Sequence, residues 1–214
     1  EEKAPGEESR RKGGGGGGTT PNYCQKTTDS QPLREKVIIN EIAWMGTKNS
    51  ADDEWIELKN ITGNPINLSG WQLLDKGRQI KIIFTEQDVI PANGFLLLER
   101  TDDSSVPNLE ADFIYKGPLN DTNEALYLFD YDCQLQDEAI ADPEWLAGKK
   151  DERRSMERSS DLSWHTYSGE GRDGIMGTPK AENSQSPLFR PILEVSLTSV
   201  SYTHLRAHET RHDL

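Results

Sequence analysis

The run Val37-Ile38-Ile39-Asn40-Glu41-Ile42-Ala43-Trp44 decides the fold class. Its β-branched side chains pack well on a pleated strand and lose rotamer freedom in a helix. Gly46 closes it, and Glu54-Trp55-Ile56-Glu57-Leu58 then alternates in part until Thr62-Gly63-Asn64-Pro65. Further out, Ile66 to Leu74 carries Leu68, Trp71 and Leu73 with a break at Ser69-Gly70. Gln79 to Phe84 alternates around Ile80, Ile82 and Phe84, and Phe95-Leu96-Leu97-Leu98 follows the turn Pro91-Ala92-Asn93-Gly94. Ala125 to Phe129 and Gln134 to Ile140 come next, then weaker segments near Met156 and Trp164. Gly, Pro, Asn and Asp punctuate these runs, and none sustains a helical period. Short strands at this spacing predict an all-β antiparallel sandwich or barrel rather than βαβ units.

Composition sets the size of that domain. Of 214 residues only 33% are hydrophobic, which fits one modest core with solvated flanks. No stretch approaches the run of about 20 apolar residues that spans a bilayer. Residues 1–36, with six consecutive glycines from Gly13 to Gly18, read as a disordered linker, because they cannot bury enough surface to offset their ordering entropy. Residues 37–184 read as the folded domain and residues 185–214 as an unstructured tail. Within that tail, Ser199 to Leu214 resembles translated sequencing-adapter read-through. The domain holds 14 Lys/Arg against 28 Asp/Glu, a net of −14, so the body of the protein repels polyanions.

Three segments in order carry a family resemblance: Val37-Ile38-Ile39-Asn40-Glu41-Ile42, Asp53-Glu54-Trp55-Ile56-Glu57-Leu58-Lys59-Asn60 and Asn67-Leu68-Ser69-Gly70-Trp71-Gln72-Leu73. They resemble the opening strands of a lamin tail domain of the bacterial type. Pro91 to Phe95, Leu126 to Asp130, Ser155-Met156-Glu157-Arg158 and Gly177-Thr178-Pro179-Lys180-Ala181-Glu182-Asn183-Ser184 fit its later part. The resemblance covers residues 37–184 and implies an immunoglobulin-like β-sandwich with no catalytic constellation and no cofactor. It further implies an interaction or tethering module of a bacterial secreted or cell-surface protein, placed outside the cell or in its envelope, with a protein or envelope component as partner. The alternative is a targeting domain of an extracellular hydrolase, a nuclease or phosphatase, whose catalytic part lies outside this chain. No heptad pattern precedes the domain, so a filament role is not supported.

The residues themselves offer four kinds of chemistry, each with a plainer reading. His208-Glu209-Thr210-Arg211-His212, with His204 one turn earlier, has the spacing of a helical zinc site. It sits in the read-through segment without an apolar face to dock, so no metal site is expected. The acidic groups Asp52-Asp53-Glu54, Asp102-Asp103 and Asp130-Tyr131-Asp132 could donate oxygens to calcium, but none follows EF-hand spacing, and solvated loops are the simpler account. Glu41 and Glu57 as an acid–base pair lack a companion nucleophile, and His165 is the only imidazole in the body. Lys149-Lys150-Asp151-Glu152-Arg153-Arg154 with Arg158 is diluted by its own acids, and Trp44, Trp55, Trp71, Trp145 and Trp164 are expected in core and edge packing rather than as a sugar platform. Asn60, Asn67 and Asn120 begin N-x-S/T sequons.

Cys24 and Cys133 are the only cysteines. In an exported protein, as the resemblance implies, two cysteines fit one bridge. Cys133 falls at the turn before Gln134, and Cys24 lies within chain reach of a sheet end. Two unrelated thiols remain the alternative.

The charge balance yields a direct expectation. Affinity for duplex DNA at physiological salt should be no better than non-specific, weaker than about 10⁻⁴ M. A fluorescence-anisotropy titration checks this, and micromolar binding with a steep salt slope would contradict it.

Overall fold

The computed structural model describes residues 22–185. β1 (Val37–Ala43) is buried along its whole length because both of its faces are covered. It pairs antiparallel with β2 (Trp55–Asn60) on one side and β11 (Met156–Arg158) on the other. β12 (Trp164–Thr166), β7 (Phe95–Arg100) and β8 (Phe113–Tyr115) complete a six-stranded sheet ordered β12-β11-β1-β2-β7-β8. A four-stranded sheet runs β10 (Leu135–Glu144), β9 (Thr122–Phe129), β4 (Gln72–Asp75) and β5 (Lys81–Ile83). β3 (Ile66–Asn67) and β6 (Val89–Ile90) form a separate antiparallel pair. The described residues contain no helix.

The two larger sheets bury one core. Val37, Ile39, Ile42, Ile56, Leu58, Leu96 and Leu98 from the six-stranded sheet meet Leu73, Ile82, Leu126, Leu128 and Ala139 from the other. The all-β immunoglobulin-like sandwich expected from the sequence is the fold observed. Trp44 and Trp145 stack within this core at 6.3 Å between ring centroids.

A bulge in β1 sets the geometry of the outer face. Ile39 pairs with Leu58 and Glu41 with Glu57, so Asn40 is an extra residue. The extra residue flips the alternation. Val37 and Ile39 face the core before it, Ile42 and Trp44 after it, and Glu41 and Ala43 are turned to the opposite face. A second bulge lies in β10 between Leu135 and Asp137. The backbone groups left over at Ile39 are taken by an ion pair. Ile39 N–H donates to Asp137 Oδ2 at 2.9 Å, and Arg158 Nε donates to Ile39 O at 3.2 Å. Arg158 Nη2 reaches both Asp137 oxygens, at 2.8 and 2.9 Å, which ties β11 to β10 across the sandwich. Burial lowers the Arg158 guanidinium to about 10, so it stays charged at neutral pH.

Two details depart from the sequence reading. β8 pairs parallel to β7, so the sandwich is not wholly antiparallel. Residues 101–112 form the crossover that a parallel pair requires, and this crossover lays Val106 and Leu109 over Trp55 and Leu97 on the outer face. The described part of the expected linker, residues 22–36, is tied to the sandwich, although Cys24 is its only buried residue. Leu33 and Arg34 donate their N–H groups to Leu135 O and Gln136 O on β10. Cys24 N–H donates to Gln72 Oε1 at 2.9 Å, and Arg78 Nη2 donates to Cys24 O at 2.7 Å. Cys24 sits against Leu74, Phe129 and Leu135 and is joined to Cys133, with 5.3 Å between Cα atoms. The Cys24–Cys133 link is the bridge that the two cysteines suggested, whereas polar local composition hid the hydrogen bonds that hold the rest of the segment.

The bridge closes a sequence separation of 109 residues. Replacing Cys24 and Cys133 together by Ser should cost about 2–4 kcal/mol in urea unfolding. Thiol titration of the denatured, unreduced chain should find no free thiol. A change within experimental error would show that the bridge contributes nothing to stability.

Candidate functional site

Three glutamates lie directly opposite one another on adjacent strands. Glu157 on β11 faces Glu41 on β1, which faces Glu57 on β2. All three have no exposed surface. Like charges at such positions oppose pairing, so a buried row of carboxyls needs protons or donors. The donors come from residues 177–184, which run across this outer face as a strap.

The strap is read through its main chain. Thr178 N–H donates to Glu41 Oε1 at 2.9 Å and Lys180 N–H to Glu57 Oε2 at 2.5 Å. Ser184 N–H donates to Glu157 Oε2 at 3.2 Å, and its hydroxyl is bonded to the same oxygen. Asn183 locks the crossing: Asn40 Nδ2 donates to Asn183 Oδ1 at 2.9 Å, and Asn183 Nδ2 donates to Arg158 O at 2.8 Å. Asn40, the bulge residue, also donates to Glu57 Oε1 at 2.8 Å. Gly177 is required by closeness, since a Cβ there would lie 2.8 Å from Trp55 Cζ2 and 2.9 Å from Ser155 Oγ.

One hydroxyl decides how protons are shared. Thr178 Oγ1 lies 3.0 Å from Glu41 Oε2 and 2.5 Å from Glu157 Oε1. A hydroxyl has a single hydrogen to give. A protonated Glu41 that donates to Thr178 Oγ1, whose own hydrogen goes to an ionised Glu157, is the arrangement that satisfies both contacts. The electrostatics agree. Burial, then the charges of Glu157 and Glu57, hold Glu41 well above the ordinary carboxyl range. Burial pushes Glu57 up to about 8. Glu157 is lowered despite its burial, because His165, Ser184 and Thr178 all hydrogen-bond to it. His165 Nε2 lies 3.2 Å from Glu157 Oε2 and donates to Ser184 O at 2.9 Å, while Nδ1 pairs with the Ser159 hydroxyl at 2.9 Å.

The structure thus brings Glu41, Glu57 and His165 together, as a holder of the strap. Sequence reasoning missed Glu157, Thr178, Asn183 and Ser184 as site residues. Their signal was their place inside the segments Ser155 to Arg158 and Gly177 to Ser184. The acidic loops are used internally. Glu54 accepts from Leu119 N–H and Arg100, Asp53 from the Thr47 hydroxyl, Asp103 from Ala111 N–H, and Asp130 from Asp132 N–H, Gln134 N–H and Gln136 Nε2. Among the described residues no three His, Cys, Asp or Glu are placed to hold a metal ion.

The basic cluster is likewise spent. Lys149 and Arg154 pair with Glu152, Lys150 with Asp121, and Arg153 with Met45 O. Four tryptophans are buried, and Trp164 lies under the Arg158 guanidinium at 3.8 Å. The Asn60 sequon is sealed, its side chain bonded to the carbonyls of Asn64, Ile90 and Pro91, whereas Asn67 and Asn120 are exposed. His204, His208, Glu209 and His212 lie outside the described residues. No helix among the described residues is long and apolar enough to cross a membrane.

The chain belongs to the lamin tail domain family: the family model described as Lamin Tail Domain matches residues 30–143. No curated protein shows a significant match to the chain. The matched region runs from before β1 into β10, so Glu41 and Glu57 fall within it and β11, β12 and the strap lie beyond it.

Raised carboxyls make stability depend on pH in a definite direction. Burial raises Glu57 to about 8, and Glu54 and Glu99 to about 7, from an ordinary 4.5. The folded form then holds protons that the unfolded chain has released. Their stabilisation is complete below the ordinary value and is lost as pH rises through the folded values. Glu157 works oppositely and favours folding above its ordinary range. The urea midpoint should therefore fall from about pH 5.5 to about pH 8.5, and Glu57→Gln should reduce that fall. A midpoint that rises across this range would contradict the assignment.

Proposed function

We propose that this domain is a non-enzymatic interaction or tethering module of a bacterial secreted or cell-surface protein. One observation carries the exported setting. The Cys24–Cys133 disulfide pins residues 22–36 to the second sheet, and such bridges persist in oxidising compartments. Membership in a family of immunoglobulin-like domains supports a module that acts by contact. The chemistry of the site supports the non-enzymatic part. Glu41 and Glu57, the carboxyls that could have formed an acid–base pair, are engaged with Thr178 and Lys180 of the domain's own chain. The partner in this reading is a protein or another component of the cell envelope.

The test is equilibrium binding of the labelled, oxidised full chain to isolated bacterial envelopes, with turnover of p-nitrophenyl phosphate and plasmid DNA followed in parallel. Saturable binding that unlabelled chain competes away, without turnover, is the expected result. Binding that never saturates, or hydrolysis of either substrate, would overturn the reading.

A further inference from the structure

The strap and the glutamate row behave as opposing parts of one device. The row cannot be flattened away, because Glu157, Glu41 and Glu57 are fixed opposite one another by strand register. What separates it from water is residues 177–185, none of which is itself buried. The strap holds on by hydrogen bonds, with little apolar surface of its own, which marks a segment of low local stability.

We propose that residues 177–185 form a latch that a rise in pH releases from the outer face of the six-stranded sheet. With Glu41 protonated, the chain of bonds from Glu41 through Thr178 to Glu157 is complete and a single charge is spread over the Glu41–Glu157 pair. Loss of that proton leaves one hydroxyl hydrogen between two carboxylates, and loss of the Glu57 proton places a third charge beside them. Burial of such a group is costly without a counter-ion.

Among the described residues no lysine or arginine is paired with Glu41 or Glu57, although the charge of Lys59 acts on Glu57 and His165 lies 3.2 Å from Glu157 Oε2. From β2, Lys59 faces the strap and is paired with Glu182; from the strap, Lys180 Nζ is paired with Asp112 of the 101–112 crossover at 2.9 Å. From β12, His165 is turned to Glu157 and Ser184. From β1, β11 and the strap, Asn40, Ser155, Thr178, Asn183 and Ser184 are neutral. With the strap in place the three carboxyls have no exposed surface.

Lifting uncovers the carboxyls and the Trp55 edge under Gly177, and removes one wall of the open cleft of about 470 Å³ that Glu182, Asn183 and Ser184 line with Ile38, Asn40, Lys59 and Arg158. The direction of the carboxyl shifts, up for Glu41 and Glu57, matches release on the alkaline side.

Hydrogen–deuterium exchange of the full chain, corrected for intrinsic rates, tests the latch from about pH 5.5 to about pH 8.5. The amides of Thr178, Lys180 and Ser184 should be less protected than that of Leu128 at every pH. Their protection should fall about tenfold per pH unit for each proton released. Glu57→Gln should flatten that slope. Equal protection of the strap and Leu128, or strap protection that does not change with pH, would overturn the proposal. Should Glu57→Gln fail to fold, the side-chain carboxyl ¹³C shifts of Glu41 and Glu57 in the unaltered chain decide. They should titrate where the strap opens, and titration in the ordinary carboxyl range would overturn the latch.

Discussion

The single extra residue in β1 is the constraint on which the rest of the domain depends. Without Asn40 as a bulge, Glu41 would fall on the same face as Ile39, in the apolar core. With it, the strand presents isoleucines inward on both sides of the bulge and a carboxyl outward. The bulge also strands the polar backbone groups of Ile39, and a buried polar group without a partner is costly. Asp137 and Arg158 supply those partners from opposite sheets. One local irregularity thereby fixes both the tie between the sheets and the outward glutamate row.

The outer face is the unusual part of this sandwich. A sheet face turned to solvent would carry scattered polar side chains, but here it is roofed by two irregular segments. Residues 101–112 cover its apolar half, where Trp55, Leu97, Val106, Leu109 and Ile175 meet. The strap covers its acidic half. The buried glutamates act as acceptors for backbone N–H groups that no strand satisfies. Proton sharing through Thr178 lowers the electrostatic cost of placing three carboxyls in register. Glu99, farther along on β7, repeats the pattern with Ser105 N–H of the other roof segment.

Family membership gives this arrangement a frame but not its details. The matched region ends inside β10, and the placing of β11, β12 and the strap beside Glu41 and Glu57 comes from the structure. The exported, contact-making role proposed for the domain is consistent with a sandwich pinned at one side by a disulfide.

The chain's residues determined a good deal by themselves. Clusters of Val and Ile between Gly, Pro, Asn and Asp turns make strands wherever they occur, so the all-β class and the positions of β1, β2, β7, β9 and β10 were legible. Alternation is a local property, and it reported which stretches are half-buried. Short strands such as β6 and β8 were not legible, because two or three residues carry no period and their pairing is with distant chain. The hydrogen bonds of residues 22–36 were hidden for the same reason, since their partners on β10 and β4 are remote in sequence. Glu41 and Glu57 could be singled out from the sequence, yet their role could not. Register across β11, β1 and β2, the phase change at Asn40 and the return of residues 177–184 over the sheet are long-range facts. Only the tertiary structure could decide that three glutamates far apart in sequence share a row and protons, because what places them there is strand pairing and a bulge rather than any neighbour along the chain.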